Sequence, residues 1–131
     1  MKPSANLLIK ALTAILCVGP NSVAFPQTKT LVLDGVWGNE AGCKFEKEQL
    51  RTDETMMVLR LTGIESYATG CEWVQVLPGN GAQLATGICG YEGEGGLGAE
   101  TFIVAPDIAD PTLMKIYTDG GETWGEVRKC P

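Results

Sequence analysis

The chain has 131 residues, of which 16 are acidic and 10 are basic, and it contains no histidine. The lack of histidine excludes a serine or cysteine nucleophile activated by an imidazole, and it excludes zinc sites built on imidazole. The net charge of −6 and the lack of a basic patch argue against binding to nucleic acid or to anionic lipid.

The start of the chain has the features of a secretory signal peptide. Lys2 and Lys10 supply positive charge, and residues 7–18 are largely apolar. This apolar run is shorter than the roughly 20 residues that span a bilayer, so we predict a signal-peptide helix and not an anchor. Cleavage after Ala24 would leave one mature domain, residues 25–131. Because both charges removed are lysines, its net charge would be about −8.

Four cysteines remain after that cleavage, namely Cys43, Cys71, Cys89 and Cys130, because Cys17 leaves with the signal. An even number of cysteines in an exported chain predicts two disulfides and no free thiol. We therefore expect a periplasmic or secreted protein. Each disulfide in such a small domain is typically worth about 2–4 kcal/mol.

The mature region predicts an all-β domain, because short strand-forming runs alternate with glycine, proline and acidic turns. Seven strands are predicted, at 31–37, 55–62, 71–77, 82–89, 100–105, 112–118 and 122–129. Residues 40–51 fit either a short helix around 45–50 or a loop held by Cys43. The strands are expected to form an antiparallel meander that curls into a small partial or closed barrel. With seven strands, a seam between the first and the last would be parallel.

A hairpin turn is predicted at Pro78-Gly79-Asn80-Gly81. A three-residue loop centred on Asn80 places Cys71 opposite Cys89 and Trp73 opposite Gly87, close enough for a disulfide at the cysteine pair. Alternation along the strands then assigns two faces. The predicted core face holds Val74, Val76, Leu84 and Ile88, and the predicted outer face holds Trp73, Gln75, Ala85 and Gly87. On that outer face we expect Trp73 to lie half exposed against Gly87. It is either a candidate binding residue, a ring that only covers the bare backbone, or a ring buried by a neighbouring loop.

The strand directions favour one of the three possible disulfide pairings. Cys71 begins the third strand and Cys89 ends the fourth, so both lie at one rim of the barrel. Cys43 follows the first strand and Cys130 ends the seventh, so both lie at the opposite rim. The predicted pairs are therefore Cys71–Cys89 and Cys43–Cys130.

The densest acidic patch contains Glu92, Glu94 and Glu100, just after Cys89. Three interpretations are open for Glu92 and Glu94. They are the paired acids of a glycosidase-type hydrolase, ligands of a calcium ion, or a solvated acidic turn at the end of a hairpin. We keep both as candidate binding residues and predict no catalytic or metal-binding residue.

Several short motifs between residues 31 and 131 carry a resemblance. They are Gly35-Val-Trp37, Cys43-Lys44, the Leu-Thr-Gly-Ile-Glu run at 61–65, the Glu-Gly-Glu that follows Cys89, and Arg128-Lys-Cys130-Pro. With these, the chain resembles a group of small exported four-cysteine proteins of rhizobia-like alphaproteobacteria. The resemblance implies an exported β domain with paired cysteines and brings no catalytic residue. The Gly-x-Trp opening is also similar to the first strand of lipocalin- and avidin-type barrels.

By elimination, we expect a non-enzymatic periplasmic or secreted protein that binds a protein or an envelope component. One concrete version is an inhibitor of a cationic host enzyme such as lysozyme. Two alternatives are a small-ligand carrier of the lipocalin type and a carboxylate-based hydrolase. No cofactor, no nucleic acid and no membrane insertion after signal removal are expected.

Overall fold

In the computed structural model, which describes residues 27–131, eight strands and one helix form a closed antiparallel barrel. The predicted export signal lies outside these residues. The strands are β1 (Trp37–Gly38), β2 (Met57–Arg60), β3 (Gly63–Ser66), β4 (Thr69–Gly79), β5 (Ala82–Tyr91), β6 (Leu97–Pro106), β7 (Leu113–Thr118) and β8 (Thr123–Lys129), and the helix α1 (Glu40–Glu48) follows β1. In this part of the chain no helix is both long and apolar enough to cross a membrane.

The small all-β barrel predicted from the sequence is confirmed, with one strand more than expected. The additional strand is β3, which a two-residue turn separates from β2 and which lies in the gap between the predicted strands 55–62 and 71–77. With eight strands the seam is antiparallel, and the predicted parallel seam is wrong: Trp37 faces Lys129. The first strand is also much shorter than predicted, since β1 has only two residues.

The ambiguous segment after β1 is a helix with an identifiable start and end. The side chain of Asn39 accepts a hydrogen bond from the Gly42 amide at 2.7 Å, which caps the first turn. The helix ends at Gln49, which adopts a left-handed conformation with φ of 58°. Phe45 packs with Met56 and Val58 in a small core between the helix and the barrel wall. Helix α1 therefore covers the outer face of β2.

The β4–β5 hairpin keeps the predicted cysteine pairing by a different route. Its loop has two residues, Asn80 and Gly81, both with positive φ as a type I′ turn requires. The three-residue loop is therefore wrong, and Leu77 faces Leu84. A bulge at Val74 adds one residue to β4, and this extra residue compensates for the shorter loop. Beyond it Trp73 faces Gly87 and Cys71 faces Cys89, as predicted.

Most of the predicted face assignment is wrong. Trp73 lies inside the barrel with an exposed fraction of 4%, and Ala85 is fully buried. Val74, Leu84 and Ile88 point outward instead. Val76 is the one predicted core residue of this set that is buried, because the bulge reverses the alternation between Val74 and Val76. The Trp73 ring does cover Gly87, but on the inner side of the sheet.

The barrel interior is filled by side chains. The Trp73 ring meets Phe102 edge-on at 5.6 Å, and Phe102 stacks on Trp124 at 5.2 Å. Leu31, from the segment before β1, belongs to the same core and is 2% exposed. The remaining buried members of this core are Trp37, Met57, Leu59, Ile64, Cys71, Val76, Ala85, Cys89, Val104, Ile116 and Val127.

Both predicted disulfides are confirmed. Cys71–Cys89 crosses between β4 and β5 on the inner side of the sheet, where both residues are buried. Cys43–Cys130 joins α1 to the residue that follows β8. The second bond thus ties the helix to the seam that closes the barrel.

Candidate functional site

The outer side of β4, β5 and β6 carries large apolar side chains that are open to solvent. Val74 is 45% exposed, Ile88 is 40% exposed, and Leu84 and Ile103 are each 38% exposed. We call this surface the β4–β6 face. Its outward residues are Glu72, Val74, Gln75 and Leu77 of β4, Leu84, Thr86 and Ile88 of β5, and Ala99, Thr101 and Ile103 of β6.

The strand register arranges the β4–β6 face in three rows. The row next to the β4–β5 turn is apolar, and it consists of Leu77, Leu84 and Ile103, with Tyr117 of β7 continuing it. The middle row is polar, and it consists of Gln75, Thr86 and Thr101. The third row consists of Glu72, Ile88 and Ala99. Because opposed side chains lie about 4.5–5.5 Å apart, each row is continuous across the strands.

An antiparallel sheet with one face in solvent normally alternates apolar and polar residues along each strand. A strand that is apolar on both faces is therefore expected to be packed against other structure on both sides. On β2, helix α1 provides the outer cover through Phe45 and Val58. Within residues 27–131, no comparable element lies over the β4–β6 face. Because exposed apolar surface is typical of interaction sites, the β4–β6 face is the candidate site.

The distribution of charge singles out the same half of the barrel. Residues 61–114 contain seven acidic residues and no lysine or arginine. Most basic residues of the described chain are neutralised on the other strands and loops, where the ion pairs are Arg51–Glu65, Arg60–Glu46, Arg60–Glu65, Lys115–Asp107, Lys115–Glu126, Arg128–Asp110 and Lys129–Asp34. Glu72, Glu92 and Glu94 take part in no ion pair in the described region. The charged side chains on the β4–β6 face and in the turn at its end are therefore acidic, while Arg51, which borders that turn, is paired with Glu65.

The candidate residues Glu92 and Glu94 lie in the turn between β5 and β6, at the acidic end of this face. The Glu92 amide donates to the Ala68 carbonyl at 2.8 Å, and the Glu94 amide donates to the Tyr91 carbonyl at 3.1 Å. These bonds fix the backbone of the turn, while both carboxylates stay exposed. The two acids line an open polar depression of about 480 Å³ together with Arg51 and the glycines of the turn.

The chemistry open to these carboxylates is limited by their exposure. General acid–base work needs carboxyl groups held in a fixed and partly dry geometry, and this turn encloses neither side chain. In residues 27–131, no three side chains of the metal-binding types converge on one point. Nearby, the Tyr91 hydroxyl donates to the Glu100 carboxylate, which raises the pKa of Tyr91. What Glu92 and Glu94 offer is negative charge at the rim of the β4–β6 face.

Of the three candidate site residues predicted from the sequence, Trp73 is buried, whereas Glu92 and Glu94 are exposed. Trp73 is not a surface residue, and the prediction of a half-exposed ring on the outer face is wrong. Glu92 and Glu94 remain accessible. Sequence reasoning missed Leu84, Ile88 and Ile103, because their strands are apolar on both faces. The long run from 61 to 114 without a basic residue marks this part of the chain as unusual, but it does not show which side of the sheet these side chains occupy.

A second surface depression lies on the opposite side of the barrel, between α1 and β8. It measures about 710 Å³ and is bordered by the Cys43–Cys130 disulfide. Its charged lining includes Lys44, Lys47 and Arg128, but also Glu40, Glu48 and Glu126. The mixture of signs gives this groove no clear preference for a ligand class.

No protein-family model matches the chain, and neither a curated protein nor a solved structure shows significant similarity to it.

Proposed function

We propose that the chain is a non-enzymatic exported protein that binds a cationic protein through the β4–β6 face. The observation that carries the proposal is the combination of exposed Leu84, Ile88 and Ile103 with a complete lack of basic residues from 61 to 114. An interface normally combines apolar and polar surface, and this face has both, with an apolar row at one end and the acidic side chains at the other.

The two parts of the face would have different roles. Burial of the apolar side chains supplies affinity, at about 25 cal/mol for each Å² removed from water. Glu72, Glu92 and Glu94 supply long-range attraction, which raises the association rate of a positively charged partner and rejects a negatively charged one. Binding should therefore weaken with increasing salt, mainly through slower association.

The proposed location is the periplasm or the outside of the cell. Two disulfides in a small domain fit an oxidising compartment. The signal-like start of the sequence supports the same location. A cationic host enzyme such as lysozyme is one partner with the required charge, and inhibition of that enzyme remains our concrete version of the proposal.

The carrier alternative finds little support in the interior of the barrel. A lipocalin-type carrier needs an open apolar cavity, whereas here Trp73 and Phe102 pack against each other within the space between the strands. The hydrolase alternative depends on Glu92 and Glu94, which lie open to solvent in a glycine-rich turn. We therefore propose the binding function alone.

A binding assay with the mature protein tests the proposal. The protein is immobilised and exposed to lysozyme, to a panel of other cationic proteins and to acidic controls, and the captured proteins are measured at low and high salt. We expect capture of at least one cationic protein and loss of that capture in Glu72→Lys. Glu54→Lys makes the same charge change in an exposed loop away from the face and should bind normally. Equal effects of the two variants, or no capture, would reject the proposal.

A further inference from the structure

The proposed function leaves open how the partner is recognised. Resting on that function, we infer that the partner inserts one large apolar side chain into a depression beside the β4–β5 turn, and places basic side chains about 13 Å further along the strands, towards Glu72. The inference commits to a polypeptide with an apolar anchor and a separate cluster of lysine or arginine.

The anchor site is a shallow apolar depression at one end of the β4–β6 face. It measures about 410 Å³, and its lining consists of Leu77, Pro78, Gly79, Asn80, Ala82, Leu84 and Ile103. Its lining residues carry no charge. Well-packed apolar pockets that receive one large side chain are where the binding energy of interfaces concentrates.

The depression has a rigid base, which favours binding. Beneath it lie Val76, Ala85 and Val104, and none of them is more than 2% exposed. The type I′ turn at Asn80 and Gly81 fixes the near edge. A site that needs little ordering loses little free energy on binding, so even one inserted side chain can contribute strongly.

The distance to the negative charge follows from the strand geometry. From Leu84 to Ile88 the strand advances four residues, which is about 13 Å. Ile88 is directly opposite Glu72. Glu92 lies a further four residues along the chain, beyond the end of β5. The negative charges therefore lie to one side of the anchor site and not around it, which gives the bound partner a direction.

Charge also argues against a second copy of the chain as the occupant. A partner copy would bring its own Glu72 to the interface, and its segment 61–114 would offer no lysine or arginine to neutralise it. Like charges placed together at an interface oppose association. A cationic polypeptide meets no such repulsion.

A pair of synthetic peptides tests the inference directly. The first is extended, with one tryptophan and with lysines starting four residues after it. The second has the same composition, with the lysines directly next to the tryptophan. Each is titrated into the isotope-labelled mature protein, and methyl chemical shifts are followed by NMR. We expect the first peptide to shift the methyl signals of Leu77, Leu84 and Ile103, and to bind at least tenfold more tightly than the second.

Substitutions in the protein provide the matched control. Leu84→Thr and Ile103→Thr should each weaken binding of the first peptide by about tenfold, and having two of them guards against one that fails to fold. Ile108→Thr removes a fully exposed apolar side chain outside the face and should change nothing.

Four results would overturn the inference: no binding at millimolar peptide, equal binding of both peptides, methyl shifts confined to the groove beside α1, or occupation of the depression by a second copy or by the chain's own residues before Gln27. These outcomes are distinct from failure of the proposed function. If cationic proteins are captured normally by Leu84→Thr and Ile103→Thr, the function stands and the anchor site is wrong.

Discussion

At the scale of single residues, Gly42 is the position where the helix touches the barrel most closely. A Cβ atom built there would lie 1.8 Å from the Met57 carbonyl oxygen. That oxygen belongs to the backbone of β2, so it cannot move aside as a flexible side chain could. The glycine therefore sets how closely α1 approaches β2.

We expect Gly42→Ala to lower the free energy of unfolding by about 2–3 kcal/mol, because the helix must shift away from its contacts with Val58. Urea unfolding followed by circular dichroism measures the change. Gly70→Ala is the control, because a Cβ atom there has open space around it and its φ is not positive. That variant should stay within about 0.5 kcal/mol of the parent. Equal losses in both variants would contradict the close contact.

At the scale of elements, Asn39 joins the start of α1 to the neighbouring chain. Its side-chain oxygen accepts from the amides of Gly42 at 2.7 Å and Met57 at 3.0 Å, and its side-chain nitrogen donates to the Thr55 carbonyl at 2.5 Å. One residue thus caps the helix and fixes the start of β2.

Asn39→Ala should cost more than a simple helix cap, because it leaves the Met57 amide and the Thr55 carbonyl without a partner. We expect a loss of about 2–3 kcal/mol, compared with about 1 kcal/mol for a typical cap. Asn39→Asp keeps the acceptor and loses the donor, so its unfolding midpoint in urea should lie between those of Asn39→Ala and the parent. A loss in Asn39→Ala no larger than that of an isolated cap would show that the bonds to β2 contribute little.

The elements also show where prediction from sequence succeeds and where it stops. Most strands, though not β3, and the disulfide pairing could be predicted, because strand direction and turn signals constrain both. The faces of β4 and β5 could not, because Val74, Leu84 and Ile88 are as apolar as residues of a core. Because of the bulge at Val74, only the part of β4 before it has the predicted register with β5. No local sequence pattern predicts such a bulge.

One part of the candidate site could likewise be predicted from the sequence, and another part could not. The acidic turn at Glu92 and Glu94 is visible in the sequence as a charged, glycine-rich stretch. The apolar part of the β4–β6 face is not, because it depends on which side of the sheet Leu84 and Ile103 occupy. The barrel structure shows that Trp73 and Phe102 occupy the interior and that Leu84 and Ile103 therefore lie on the outer surface.

At the scale of the whole molecule, acid should destabilise the fold through several carboxylates. The Thr112 hydroxyl, followed by Arg128, lowers the pKa of Asp110 from 3.8 to about 2. Asp34 and Asp107 also have lowered pKa values, chiefly through hydrogen bonds from Lys129 and Lys115. A pKa lowered by folding means that the folded state binds fewer protons than the unfolded state in this range. The resulting stabilisation is complete above the unfolded pKa of 3.8 and is lost as the pH falls towards 2.

We therefore expect the urea midpoint to fall steadily between pH 5 and pH 2. In Asp110→Asn the same curve should be flatter, because one of the responsible groups no longer titrates. Asp119→Asn removes an exposed carboxylate with no ion pair in the described region, and its curve should keep the slope of the parent. If Asp110→Asn has the parent's slope, the Asp110–Arg128 contact does not contribute in solution.

The two disulfides constrain very different lengths of chain. Cys43–Cys130 spans 87 residues and Cys71–Cys89 spans 18. In the chain-entropy view, closing these loops is worth about 4.6 and about 3.2 kcal/mol. Removal of Cys71–Cys89 also leaves a gap in the core, which reduces the difference between the two. Global stability alone therefore separates their roles poorly, and the location of the damage is the better measurement.

Cys43–Cys130 lies beside β1, which pairs through only two residues with each of its neighbours, β2 and β8. The seam between β1 and β8 has two paired residues on each side, Trp37 with Lys129 and Gly38 with Arg128, and one further bond from the Cys130 amide to the Val36 carbonyl. By contrast, β4 and β5 pair along almost their whole length. Local opening follows the least-supported elements, so the seam should open first once its covalent tie is gone.

Hydrogen exchange measured by mass spectrometry on the double variant Cys43→Ser with Cys130→Ser checks this expectation. Amides of β1, α1 and β8 should exchange at least tenfold faster than in the parent, while those of β4 and β5 keep most of their protection. The double variant Cys71→Ala with Cys89→Ala should instead lose protection throughout, because its gap lies in the shared core. Uniform acceleration in the first variant would show that β1 and β8 hold together without the disulfide, and that the barrel opens only as one cooperative unit.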